Sequence, residues 1–201
     1  DELRQRVAWS LSQVLVIGEF SSAVLGDHNE AWTYFYDILV RHAFGNYRDI
    51  MREVSYSPLM ATMLTYMWSR GIDRTGFFPD ENFAREVMQL FSIGLWKLHP
   101  NGTRVTDAQG KDVPSYNMHN IEALARAWTG FQPQASRSNY EHINSKYTSN
   151  IIDPMKIKEV DRDQEPKMDL SGGFVGDGYP LCTDLPADSF LRKGARYRYI
   201  G

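Results

Sequence analysis

What most constrains this chain is a run of apolar residues at spacings of three and four, punctuated by helix start and stop signals, over its first 131 residues. That period belongs to α-helices laid against a core, and a sequence that keeps it does not settle into strands. Val7, Leu11, Val14, Leu15 and Gly18 share one face of a first helix. Trp9 and Val16 make its other faces apolar too, which predicts burial on most sides. Asp27 with Glu30 forms a capping-box variant ahead of Trp32, Phe35, Tyr36, Leu39 and Ala43, and Gly45 offers a left-handed stop. Asn46 caps a third helix with Tyr47, Ile50, Met51 and Val54 inward.

Ser57-Pro58 starts a fourth helix, because proline in the first turn forfeits no needed hydrogen bond. It runs through Leu59, Met63, Tyr66 and Met67 to near Gly71, and a loop extends from there to Pro79. Asp80 caps a fifth helix whose apolar face is Phe83, Val87, Leu90, Phe91 and Gly94. A sixth begins near Asn117, turns Ile121, Leu124, Ala125 and Trp128 inward, and stops at Gly130. Between the last two the period fades. There the β-prone run Thr103–Thr106 and the turn around Gly110 predict a small hairpin into Val113.

Beyond Phe131 the composition shifts. Residues 132–201 hold five of the nine prolines and a glycine cluster at Gly172, Gly173, Gly176 and Gly178. The expected fold is therefore mainly α: a bundle-like helical domain over 1–131 with a small β-hairpin, and a long irregular arm over 132–201 packed on it. A structureless loop of that length is rare in a compact domain, so short strands are expected within the arm.

A chain of 201 residues buries enough surface to hold a core without disulfides or metals. Charge is nearly balanced at −3, with no basic stripe, so a nucleic-acid interface is not expected. The apolar stretch Val14–Ile17 is far too short to span a membrane. A lone cysteine, Cys182, excludes an internal disulfide or CxxC site and leaves open a pairing with a cysteine in missing sequence of a longer chain.

Two blocks carry a family resemblance. One is Pro79-Asp80-Glu81-Asn82-Phe83-Ala84-Arg85-Glu86-Val87-Met88-Gln89-Leu90-Phe91-Ser92-Ile93-Gly94, where Asn-x-x-Arg-Glu precedes an apolar helix stop. The other is Ala125-Arg126-Ala127-Trp128-Thr129-Gly130-Phe131, with weaker support from Arg41–Asp49. On these the chain resembles the domain of unknown function 1800 family. The resemblance implies a helical fold, export from the cell and an alkaline-phosphatase-like secreted companion; it implies no reaction. The missing initiator Met and the family's missing closing segments lead us to expect a fragment of a longer chain.

Candidate chemistry concentrates on the fifth helix. Asn82, Arg85, Glu86 and Gln89 recur at spacings of three and four, so they share a face. A glutamate beside an arginine is a candidate acid or base, and a structural polar face is the plainer alternative. Arg85 or Glu86 is expected to form a buried ion pair with Arg126 or Glu122 of the sixth helix, where His119 precedes Glu122 by three residues. His42 stands near a helix end, where a positive charge suits the dipole.

Asp161-x-Asp163-x-Glu165 has the opening spacing of a calcium loop, but Pro166 and Gly172 occupy positions that need Gly and Glu. Looser binding with Asp169, Asp177 or Asp184 is the weaker alternative to a solvated charge run. No Gly-x-Ser-x-Gly elbow or His-Glu-x-x-His helix is present, and neither cofactor nor metal is expected. With aromatic residues at 13%, the leading expectation is a secreted helical binding or assembly module that works with an extracellular partner. The rival is a hydrolase of a cell-surface polymer, with Glu86 as acid or base and Arg85 and Asn82 positioning it.

Overall fold

The expected mainly helical architecture is the observed one. A computed structural model describes residues 1–18, 29–135 and 150–170, and among these are seven α-helices and one two-stranded antiparallel sheet. The chain forms two compact units. Of the described residues, the first holds 1–18, 29–69, 130–135 and 150–160, and the second holds 70–129 and 161–170. Both units thus take residues from either side of the boundary expected at 131.

In the first unit α1 (Glu2–Ser12), α3 (Tyr47–Ser55) and α4 (Pro58–Met63) all pack against α2 (Asn29–Arg41). Asn46 caps α3 as its residue type predicts, its side-chain oxygen accepting from the Arg48 amide at 2.8 Å. The core gathers Phe35, Ile38 and Leu39 of α2, Ile50 and Val54 of α3, and Leu59, Met60 and Ala61 of α4. β1 (Phe131–Gln132) pairs with β2 (Lys156–Ile157), Phe131 opposite Ile157, which is a short strand of the kind expected in the arm. The Phe131 ring meets Tyr56 and Tyr66 edge-on, at 5.3 and 5.8 Å between centroids.

Three expectations are corrected in this unit. α1 stops at Ser12 and buries only Ala8, while Trp9, Val14 and Val16 lie exposed and Leu15 is buried beyond the helix end. α4 ends at Met63 rather than near Gly71, because Thr65 and Trp68 adopt left-handed backbone at φ 61° and 66°. That conformation is uncommon outside glycine. At Trp68 a backbone hydrogen bond from its amide to the Phe131 carbonyl, 2.9 Å, helps hold it. Finally, Gly45 lacks the positive φ expected of it. A Cβ there would sit 3.3 Å from the His42 ring, so what the position needs is room.

The second unit contains α5 (Ile72–Thr75), a single turn inside the predicted loop, then α6 (Asn82–Gln89) and α7 (Met118–Ala125), which continues as a 3-10 turn over Arg126–Trp128. Asp80 accepts from the Asn82 amide at 2.9 Å, an Asx turn just ahead of α6. Asn117 and Asn120 complete a reciprocal capping box at the start of α7. Ala84 and Met88 of α6 pack on Ile121 and Ala125 of α7, with Tyr116, Leu124 and Trp128 around them. This rotates the expected face, because Val87 is only half-buried and Leu90 is exposed. The cause is a widened helix end: the Phe91 and Ile93 amides reach back five residues to Glu86 and Met88, and Gly94 closes the turn at φ 72°.

The expected hairpin is present and gains a limb. Bridges join Leu98 to Arg104, Thr106 to Asp112, and Trp96 to Pro114, with left-handed Gly102 and Gly110 at the turns.

Candidate functional site

His42 lies just past the end of α2, and Glu53 stands in the last turns of α3. The short turn between the helices folds one against the other. His42 Nε2 comes 2.6 Å from Glu53 Oε1, and Arg41 donates to Glu53 Oε2 at 2.5 Å. Gly45 leaves space for the imidazole. Arg41 also lies over the Tyr34 ring, 5.7 Å from its centroid. Burial works against the charge on Glu53, but the hydrogen bonds and positive charges of His42 and Arg41 outweigh it, so the carboxyl titrates below its ordinary range.

His42, Glu53 and Tyr34 border a cavity of about 500 Å³. Tyr34 and Ile38 of α2, Tyr56, and Pro154 from the arm give it apolar walls, while His42, Glu53, Asp49, Arg52 and Ser57 supply polar groups. Asp49 and Arg52 are exposed, and neither makes an ion pair with another described residue. Of the candidate site residues named from sequence, only His42 lies here. Glu53, Tyr34 and Arg52 escaped notice, and Asp49 enters only as part of the family block, because nothing at local spacing joins Glu53 to a histidine eleven residues earlier in a different helix.

The α6 residues are arranged differently from expectation. Arg85 pairs with Glu81, four residues earlier at the N-cap of α6, at 2.8 Å. Arg126 turns away from α6 and grips Asp163 with two hydrogen bonds of 2.9 and 2.8 Å. The expected ion pair between α6 and α7 is therefore absent. A nearby helical neighbour satisfies one arginine, and a fully buried carboxylate captures the other.

Glu86 Oε2 is buried with no hydrogen-bond partner among the described residues, and so is the Tyr116 hydroxyl. Burial raises the Tyr116 pKa; the Arg85 charge opposes that rise and the Glu86 charge adds to it. Asn82 is exposed and Gln89 half-buried. His119 is largely exposed and stands 3.4 Å from Glu122, too weak a pair to organise chemistry.

Asp163 is the hub of its unit. It binds Arg126 and, at 3.0 Å, Lys167, and its amide donates to Thr129 Oγ1 at 2.7 Å. Burial disfavours its charge, but the hydrogen bonds and charges of Arg126 and Lys167 prevail and hold its pKa below the ordinary value. Asp161 faces Arg70 at 3.8 Å. Two carboxylates of the calcium-like run are thus matched by cations of the chain, and among the described residues no group of three acidic, histidine or cysteine side chains converges as metal ligands would. Cys182, Asp177, Asp184 and the Gly172–Gly178 stretch lie outside the described residues.

The spacing of the second block also gains a physical account. Phe83 of α6 meets Trp128 edge-on at 4.6 Å, Thr129 receives the Asp163 amide, and Gly130 takes the left-handed stop at φ 80°. A family model described as a protein of unknown function (DUF1800) matches residues 1–172. No curated protein and no solved structure matches the chain.

Proposed function

Because the chain belongs to the DUF1800 family, whose description names no reaction, we propose from its geometry that it is a binding module whose α2–α3 cavity takes up a small polar ligand. The observation that carries this reading is the cavity itself. Its volume of about 500 Å³ suits a small molecule, and its lining combines aromatic walls with a few converging polar groups, as binding sites do. Of the lining residues, His42 and Glu53 hold each other, and Arg41 holds Glu53 from outside the cavity, before any ligand arrives, which limits the entropic cost of binding. Action outside the cell beside an alkaline-phosphatase-like companion is the setting that the family resemblance suggests. Co-purification of such a companion with the full-length protein supports that setting, and recovery of nothing above background removes it.

The rival hydrolase reading retains one observation, the unpartnered Oε2 of Glu86. No carboxylate or histidine is hydrogen-bonded to it among the described residues, and Glu86 does not border the α2–α3 cavity. Binding is the better supported function.

Thermal unfolding of the full chain against a panel of amino acids, short peptides, sugars, nucleosides and short-chain lipids tests the proposal. A ligand at a hundred times its Kd stabilises the protein by about 2.7 kcal/mol, a readily measured rise in Tm. At least one class is expected to give such a rise, and Tyr34→Ala or Glu53→Gln is expected to abolish it. A panel without effect, or a rise that survives both variants, sinks the cavity as the binding site.

A further inference from the structure

The charges around the cavity narrow the ligand's chemistry, an inference that rests on the cavity being the binding site. Glu53 brings a negative charge that Arg41 and His42 already answer. What remains is Asp49 and Arg52, three residues apart on α3 and hence neighbours on the helix surface. They bear opposite charges and both line the cavity, yet they make no ion pair with each other or with another described residue. The same cavity is lined by aliphatic surface from Ile38 and Pro154 and by the rings of Tyr34 and Tyr56.

A neutral sugar leaves both charges without counter-charge. A simple anion meets Arg52 but is repelled by Asp49, and a simple cation is placed the other way round. One chemistry satisfies all of it: a cation and an anion on one small molecule, with an apolar body between the walls. We infer that the cavity takes a zwitterionic ligand of the amino-acid or short-peptide class, its ammonium toward Asp49, its carboxylate toward Arg52, and its apolar side chain against Ile38 and the tyrosines.

Titration calorimetry on the full chain with leucine, the dipeptide Leu-Leu, N-acetyl-leucine, leucinamide and maltose tests this. Leucine or Leu-Leu is expected to bind, and either cap is expected to weaken binding about threefold, the size of an exposed ion pair. Asp49→Asn should erase the penalty of acetylation and keep that of amidation; Arg52→Gln should do the reverse. Both side chains are exposed, so neither change threatens folding. Capped and uncapped leucine binding equally overturns the zwitterion assignment and leaves the cavity reading intact. Maltose binding that is lost in Tyr34→Ala, with no leucine compound bound, has the same meaning. Heat from none of the five overturns the assignment, and the wider panel above then decides whether the cavity binds anything.

Discussion

Two acidic side chains of the second unit face opposite situations, and their substitution should separate them. Asp163 is fully buried and holds Arg126 and Lys167; its loss strands two cations in a low-dielectric setting. Asp163→Ala is expected to destabilise the protein by roughly 3–5 kcal/mol in urea unfolding. Glu86 carries a buried oxygen that no described residue answers. Replacing an unsatisfied polar group by an apolar one of similar shape removes a desolvation cost, so Glu86→Met should leave stability unchanged or raise it by about 1 kcal/mol. A loss of several kcal/mol from Glu86→Met shows that the carboxylate has a structural partner and reverses this reading. Gly71 is constrained at the same scale: a Cβ there would lie 2.9 Å from Asp163 Cα, so the backbone of the hub admits only glycine.

At the scale of elements, α6 distinguishes two faces that its sequence leaves ambiguous. Phe83, Val87, Leu90 and Phe91 follow a helical stripe, yet Ala84 and Met88 are the residues that meet α7. The widened turn after Gln89 carries Leu90 outward while keeping Phe91 in the core. Met88→Ala is therefore expected to cost about 2–5 kcal/mol, and Leu90→Ala less than about 0.5 kcal/mol. Equal costs in urea unfolding would restore the stripe. The start of α7 provides a second check. Asn117 and Asn120 satisfy each other's backbone amides, so Asn117→Ala should cost about 1 kcal/mol, seen as a lower midpoint with unchanged m-value.

For the whole molecule, the two lowered carboxyl pKa values set the direction of acid sensitivity. Glu53 and Asp163 each titrate lower folded than unfolded, so their stabilisation is complete above the ordinary carboxylate range and is lost as pH falls through their folded values. Asp163 should dominate, because Glu53 is partly exposed and screened by solvent. Stability measured between neutral and acid pH is expected to fall less steeply for Asp163→Asn than for the native chain, from a lower starting level. Parallel curves rule out Asp163 as the source.

The helical class, the cap at Asn46, the start of a helix near Asn117, the stops at Gly94 and Gly130, and the hairpin were legible in the residues alone, because each is settled by period, capping chemistry or φ within a few residues. Which face of α6 is buried, which carboxylate Arg126 holds, and the meeting of His42 with Glu53 beside a cavity follow from long-range packing. Those outcomes turn on which side chains arrive from distant segments, such as Asp163 reaching Arg126 across 37 residues, and on which charges burial leaves to be answered. Local spacing contains no record of either.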